Sequence, residues 1–163
     1  MLTLYFAPES SSMAPHIALH EVEAPFESRY LSFARNEHKP PGYQAINPEG
    51  KVPTLLIDGR LLTEVAGILI HLARRFPERG LLPANDPEAE AQIVSWMSFI
   101  AATVHPARRQ GVERQKQALG VAEQRLARAN GRWGTTPSPT FICFGCIGAM
   151  QPDRMPPRHH FQI

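Results

Sequence analysis

Two short apolar runs, Thr54-Leu55-Leu56-Ile57 and Arg60-Leu61-Leu62-Thr63, are separated by only Asp58-Gly59. A two-residue connection in a type I′ turn places both central residues at positive φ, which Asp-Gly does at little steric cost, so the segment spells a β-hairpin with a type I′ turn. A lone hairpin is not stable in water, so its neighbours must complete a sheet and cover it. Upstream, Leu2 to Phe6 reads as a strand that breaks at Ala7-Pro8-Glu9 and runs into Ser10, Ser11 and Ser12. Ala14, Ile17, Ala18 and Val22 then recur at helical spacing, with Pro15 in the first turn and a serine immediately upstream to cap the start. Past Ala24-Pro25, the segment Phe26 to Phe33 alternates as a second strand, and Asn36 to Tyr43 is a polar, proline-rich loop or short helix. Downstream of the hairpin, Val65, Ile68, Leu69, Leu72 and Ala73 form one face of a helix, with Thr63 as its cap, arginines near its negative end and Gly80 closing it. Strand, helix, strand, hairpin and helix make a small α/β layer over residues 1–80, helices covering a mixed sheet.

The rest of the chain changes character. Residues 81–85 read as a linker, and Asp86-Pro87-Glu88 is a helix start in which an acidic cap and a first-turn proline suit the positive helix end. Ile93, Trp96, Met97, Ile100, Ala101 and Val104 continue the helical period to His105-Pro106, where proline is expected to kink or stop it. A further helix is expected from Val112 to about Ala129, with Leu119, Ala122 and Leu126 inward. These residues, 86–130, form a helical region, and 131–163 is an irregular tail with no amphipathic period.

Composition excludes several classes. With 163 residues, 43% of them hydrophobic and 20% charged, the chain can build a core and is not disordered. No run reaches the ~20 apolar residues of a membrane span. A formal charge of +2 leaves no dedicated nucleic-acid surface; Arg108, Arg109, Arg114 and Lys116 read as a solvated face. The only cysteines are Cys143 and Cys146, and no basic-then-apolar signal opens the chain, so a cytoplasmic location is expected rather than a secreted disulfide scaffold. With His159 and His160, that cysteine pair invites a zinc reading. The adjacent histidines lack the usual gap between ligands, and Pro156-Pro157 forbids a helix carrying them, so no metal is expected.

A strand that ends in a hydroxyl-bearing loop at a helix N-terminus is suited to a thiolate, because free N–H groups and the helix dipole both favour an anion. Val52-Pro53, just before a strand, is a place for a cis bond that turns the Val52 backbone toward a peptide-like ligand. Glu64 at the next helix start can receive an ammonium group, and the Val65 N–H beside it a carboxylate, so one turn can read both charges of an amino-acid end.

These features carry a family resemblance. The Leu4-Tyr5-Phe6-Ala7-Pro8 strand end with its serines, Pro15 to Leu19, Asn47 to Pro53, Thr63-Glu64 and Trp96 to His105 together resemble a bacterial glutathione S-transferase over the first 105 residues. The resemblance implies a thioredoxin-like α/β N-terminal domain, βαβαββα, followed by an incomplete all-α C-terminal domain. It implies glutathione as co-substrate, a small electrophile as second substrate, an apolar pocket for it between the two layers, and a homodimer. Ser11 stands where beta-class enzymes carry a catalytic cysteine and would stabilise the glutathione thiolate, with Ser12 the nearest substitute. Val52 before Pro53 would pair with the cysteinyl unit, Glu64 and Val65 would hold the γ-glutamyl end, Lys51 would lie near the glycine carboxylate, and His105 would line the site from the second domain. A glutathione-dependent isomerase and a non-catalytic binding module of the same fold are the alternatives.

The chain departs from that pattern at three places. Glu9 occupies a tight turn where family members often have glycine, and Val65 replaces the usual serine after the ligand-binding glutamate. Family members also open a buried helix with a Ser/Thr-x-x-Asp box, whereas here Ser138-Pro139-Thr140 is followed by Phe141. A shifted reading frame or truncation near residue 140 is the expectation.

Overall fold

The computed structural model describes residues 1–129, which fall into two compact units, Met1–Leu72 and the residues from Ala73 onward. In the first unit, β1 (Leu2–Phe6), α1 (Met13–Glu21), β2 (Phe26–Tyr30), α2 (Pro41–Gln44), β3 (Thr54–Ile57) and β4 (Arg60–Thr63) are followed by α3 (Val65–Arg75), whose last turn crosses into the second. The strands form one sheet in the order β2-β1-β3-β4. β1 runs parallel to β2 and antiparallel to β3, and β3 runs antiparallel to β4. Leu2, Thr3 and Leu4 are all buried although successive side chains point to opposite faces, so both faces of β1 are covered. Leu4, Leu19, Leu55, Ile68 and Leu72 form the centre of this core.

The hairpin forms as its sequence demands: Asp58 and Gly59 both have positive φ, 51° and 80°. β2 is shorter than the Phe26 to Phe33 expected. Its partner ends at the pair Phe6↔Tyr30, and the Ser32 N–H turns to the Glu37 carboxylate at 2.7 Å instead of a strand. Thr63 does not cap α3; it pairs with Thr54 as the last residue of β4, and the carbonyl of Glu64 accepts the first helical bond, from Ile68 N. Nor does α3 run to Gly80. It stops at Arg75 because a residue before proline, here Phe76, avoids helical backbone; Pro77–Arg79 is a separate 3-10 turn, which Gly80 closes at φ 63°.

The second unit contains α4 (Pro87–Phe99), a π-helical stretch Ile100–Val104, the single turn α5 (His105–Ala107) and α6 (Val112–Ala129). Asp86 caps α4, its carboxylate accepting from Ala89 N at 2.9 Å. Pro106 does not end the helix. The preceding stretch widens instead, His105 N–H donating to the Ile100 carbonyl five residues back. Ile93, Trp96, Met97, Ile100 and Val104 are buried as the period required, but Ala101, expected on the same face, is exposed: it lies in the π-helical stretch, whose wider turn shifts the period. On α6 the buried residues are Ala118 and Ala122, while Leu119 and Leu126 are only half-buried. No helix among the described residues is long and apolar enough to cross a membrane. The cysteine and histidine pairs near the end of the sequence, and the segment 131–163, lie outside the described residues.

Candidate functional site

Strand register brings three chain segments to one end of the first unit. Tyr5 of β1 pairs with Thr54 of β3, and Thr54 pairs with Thr63 of β4. The loop leaving β1, the segment entering β3 and the segment leaving β4 therefore emerge side by side, each strand about 4.8 Å from the next. Those segments carry Ser10 to Ser12, Lys51 to Pro53, and Glu64 with Val65.

In the first of them, two serines are spent on the loop itself. Ser12 is fully buried; its Oγ accepts the Ala7 N–H at 2.9 Å and lies 2.6 Å from Ser10 Oγ, which in turn donates to the Ala7 carbonyl at 2.7 Å. Running the protons one way round satisfies both hydroxyls: Ala7 N–H to Ser12, Ser12 to Ser10, Ser10 to Ala7 C=O. Ser12 thus occupies the residue before α1 without capping it with its side chain. Ser11 is half-buried, and its hydroxyl makes no hydrogen bond among the described residues. The first amides of α1 are not all free, as Met13 N–H and Ala14 N–H reach the carbonyls of Ser10 and Ser11 at 3.1 and 3.3 Å. Glu9 is exposed at φ 60°, the left-handed backbone for which glycine is the usual choice.

The second segment is held from below. Val52-Pro53 is a cis peptide, with Pro53 buried and Val52 half-buried. The Lys51 carbonyl accepts from Tyr43 Oη at 2.6 Å and from Asn47 Nδ2 at 3.0 Å, and Thr54 Oγ1 lies 2.7 Å from Tyr43 Oη. Asn47 and Thr54 are almost fully buried. Gly50, at φ +59°, sits so close to the next turn that an added Cβ would meet the His38 carbonyl at 3.0 Å. The Lys51 side chain is exposed and paired with Glu49 at 3.2 Å.

In the third segment, Glu64 is exposed at φ 64°. Holding a non-glycine residue in left-handed backbone costs roughly 1–2 kcal/mol, a strain that clusters where chains bind ligands. Val65 opens α3, so its N–H has no acceptor within the helix.

His105 belongs to the second unit, half-buried in α5; burial, then the charges of Arg109 and Arg108, lowers its pKa. Among the described residues no group of three or more His, Cys, Asp or Glu side chains could hold a metal ion. Sequence reasoning missed Tyr43 and Thr54. The signal available was weak: a lone tyrosine near the Asn47 motif and a threonine heading a strand, each more often a packing residue than a support.

Residues 1–74 match the family described as glutathione S-transferase, N-terminal domain. The chain is 36% identical over 105 residues to glutathione S-transferase GST-4.5 of Xanthomonas campestris pv. campestris, a stretch covering 64% of this chain and 50% of that protein. It is 30% identical over 127 residues to maleylacetoacetate isomerase of Pseudomonas aeruginosa, covering 76% of this chain and 59% of the relative. The chain spans about half the length of the curated relatives it matches. Among solved structures, a glutathione transferase homolog from Sulfitobacter with bound glutathione is 31% identical, with a TM-score of 0.72, covering 91% of this chain and 81% of that one.

Proposed function

The chain belongs to the glutathione S-transferase family, and on that premise we propose that it binds glutathione at the shared sheet end of its first unit and activates the thiol for attack on small electrophiles. One observation carries this reading: of the three serine hydroxyls after β1, only that of Ser11 is uncommitted among the described residues, at the start of α1 and beside the Val52 and Glu64 segments. The thiolate is the anion that this corner stabilises. A free thiol titrates near ~8.5, and one charge-assisted hydrogen bond of ~1.5–3 kcal/mol lowers that by roughly one to two units, enough for thiolate at neutral pH. Ser11 supplies that bond, and Ser12, whose hydroxyl is engaged by Ala7 and Ser10, is the substitute only if the loop opens. Lys51 would meet the glycine carboxylate, the backbone of Val52 ahead of Pro53 the cysteinyl unit, and Glu64 with the Val65 N–H the γ-glutamyl ammonium and carboxylate. His105 would add a glutathione contact, a role that rests on the family resemblance alone. The protein would work as a cytoplasmic homodimer.

Titrating the thiol of bound glutathione by its ultraviolet absorbance tests the proposal. The parent should show a pKa about one unit or more below that of free glutathione, and Ser11→Ala should return it toward the free value while glutathione still binds. An unshifted thiol in the parent would overturn it.

A second reading is favoured by the isomerases among the relatives: the thiolate adds to a conjugated double bond, the adduct rotates, and elimination returns the thiolate unchanged. It needs the same corner and no net consumption of glutathione. Following glutathione loss against isomer conversion separates the two. Retention on immobilised glutathione with neither activity would leave a binding module of the same fold.

A further inference from the structure

The peptide linking Lys51 to Val52 is trans and planar, so its C=O and N–H point in opposite directions. The carbonyl end has three donor groups within reach, of which the Thr54 hydroxyl, at 3.2 Å, is the most distant. Tyr43 Oη donates to it at 2.6 Å and Asn47 Nδ2 at 3.0 Å, filling both of its lone pairs. The second Asn47 N–H donates to Thr54 Oγ1 at 2.9 Å, and the Thr54 hydroxyl is then free to donate to Tyr43 Oη at 2.7 Å. Each proton has one use and each acceptor is filled. The group lies under the surface, with relative exposures of 6%, 1% and 0% for Tyr43, Asn47 and Thr54. Among the described residues, neither the N–H nor the C=O of Val52 makes a hydrogen bond.

We infer that Tyr43, supported by Asn47 and Thr54, is a positioning residue for peptide-ligand binding: by pinning the Lys51 carbonyl inward it aims the Val52 N–H outward, ready to donate to a ligand carbonyl. The inference rests on the glutathione reading only for the identity of that ligand. Burial raises the Tyr43 pKa, so the phenol keeps its proton and stays a donor across the neutral range. Thr54, the last member of the group, lies opposite Tyr5 and Thr63 in the strand register, so any movement of it would disturb the corner where Ser11 and Glu64 emerge.

The test uses Tyr43→Phe in the full chain, which keeps the ring and removes only the hydroxyl, alongside the paired variants Thr54→Val and Thr54→Ser. Two ligands are compared by calorimetry: glutathione, and an analogue in which the cysteinyl carbonyl is reduced to a methylene and can accept nothing. Loss of one aimed hydrogen bond should weaken glutathione about fivefold in Tyr43→Phe and leave the analogue's affinity unchanged, with Thr54→Ser near the parent and Thr54→Val between. An equal loss on both ligands would mean a general loosening and would overturn the inference. A second readout is independent of glutathione: the NMR order parameter of the Val52 amide should be near 0.85, as for rigid backbone, and fall in Tyr43→Phe. If the order parameter falls as stated but the parent binds no glutathione, the pinning stands and the glutathione reading fails. An order parameter that does not change removes the pinning itself.

Discussion

Three adjacent serines have three different positions in the structure, and their substitutions separate accordingly. Ser12→Ala deletes the acceptor of the Ala7 N–H and breaks the proton relay through Ser10 in a fully buried place, so a loss of about 1–3 kcal/mol in urea unfolding is expected. Ser11→Ala removes a hydroxyl with no partner among the described residues and should stay within about 0.5 kcal/mol of the parent. Equal losses would mean that the ring does not hold the loop. A second residue-scale effect belongs to His16, which stacks on Phe6 at 4.5 Å and meets the edges of Phe26 and His20. Burial first, and the His20 charge second, push its pKa below the usual 6.5. The folded state thus binds fewer protons than the unfolded state once the pH falls below about 6.5, and stability must decline with falling pH until the folded pKa is passed. His105 acts in the same direction. Unfolding midpoints measured between pH 7.5 and 5 should fall toward acid, and His16→Gln should flatten the slope; an unchanged slope would place the proton uptake elsewhere.

At the scale of elements, the helices of the second unit are joined by a cation over two rings. Arg125 of α6 lies 4.8 Å from the Trp96 ring and 4.6 Å from the Phe99 ring of α4, and donates to Ser95 Oγ at 2.9 Å. Arg125→Met keeps an apolar stem but loses the charge and the fork, and should cost about 1–2 kcal/mol in thermal unfolding, whereas Arg125→Lys, a point charge that stacks poorly, should recover only part of it. No loss with methionine would reduce the contact to simple packing. This pair also marks what was legible in advance. The elements were, because Asp58-Gly59, the Ile93 to Val104 period and the Asp86-Pro87 start are local signals that the backbone obeys without outside help. The ends of elements were not. β2 stops where its partner stops, and Thr63 is taken by the ladder before it can cap anything, so both outcomes depend on residues over twenty or nearly ten positions away. Pro106 was misread for a related reason: a helix can accommodate it by widening to five-residue bonds, a choice that local propensity does not reveal. Of the site, the segments were legible as motifs; Tyr43 was not, since its importance lies in a carbonyl eight residues along the chain that only the folded backbone brings within 2.6 Å.

At the scale of the whole molecule, binding and stability must be linked, and the linkage separates the roles of the corner's residues in one experiment. A ligand that binds only the folded chain stabilises it by RT ln(1 + [L]/Kd), about 2.7 kcal/mol at a hundredfold excess over Kd, which for a chain of this size raises the unfolding temperature by roughly 5–10 °C. Glutathione should produce that rise in the parent. Ser11→Ala should keep nearly all of it at pH 6, where the free thiol is protonated and, on the proposed function, the serine would serve activation more than affinity. Tyr43→Phe should lose part of it at any pH, because a fivefold weaker Kd at the same concentration leaves about 1.8 kcal/mol. The two variants therefore part company as pH rises: above pH 8 the parent binds the thiolate, Ser11→Ala falls behind it, and the deficit of Tyr43→Phe stays constant. A parent that glutathione does not stabilise would remove the proposed ligand; a pH-independent deficit in Ser11→Ala would keep the ligand but take the thiolate away from Ser11.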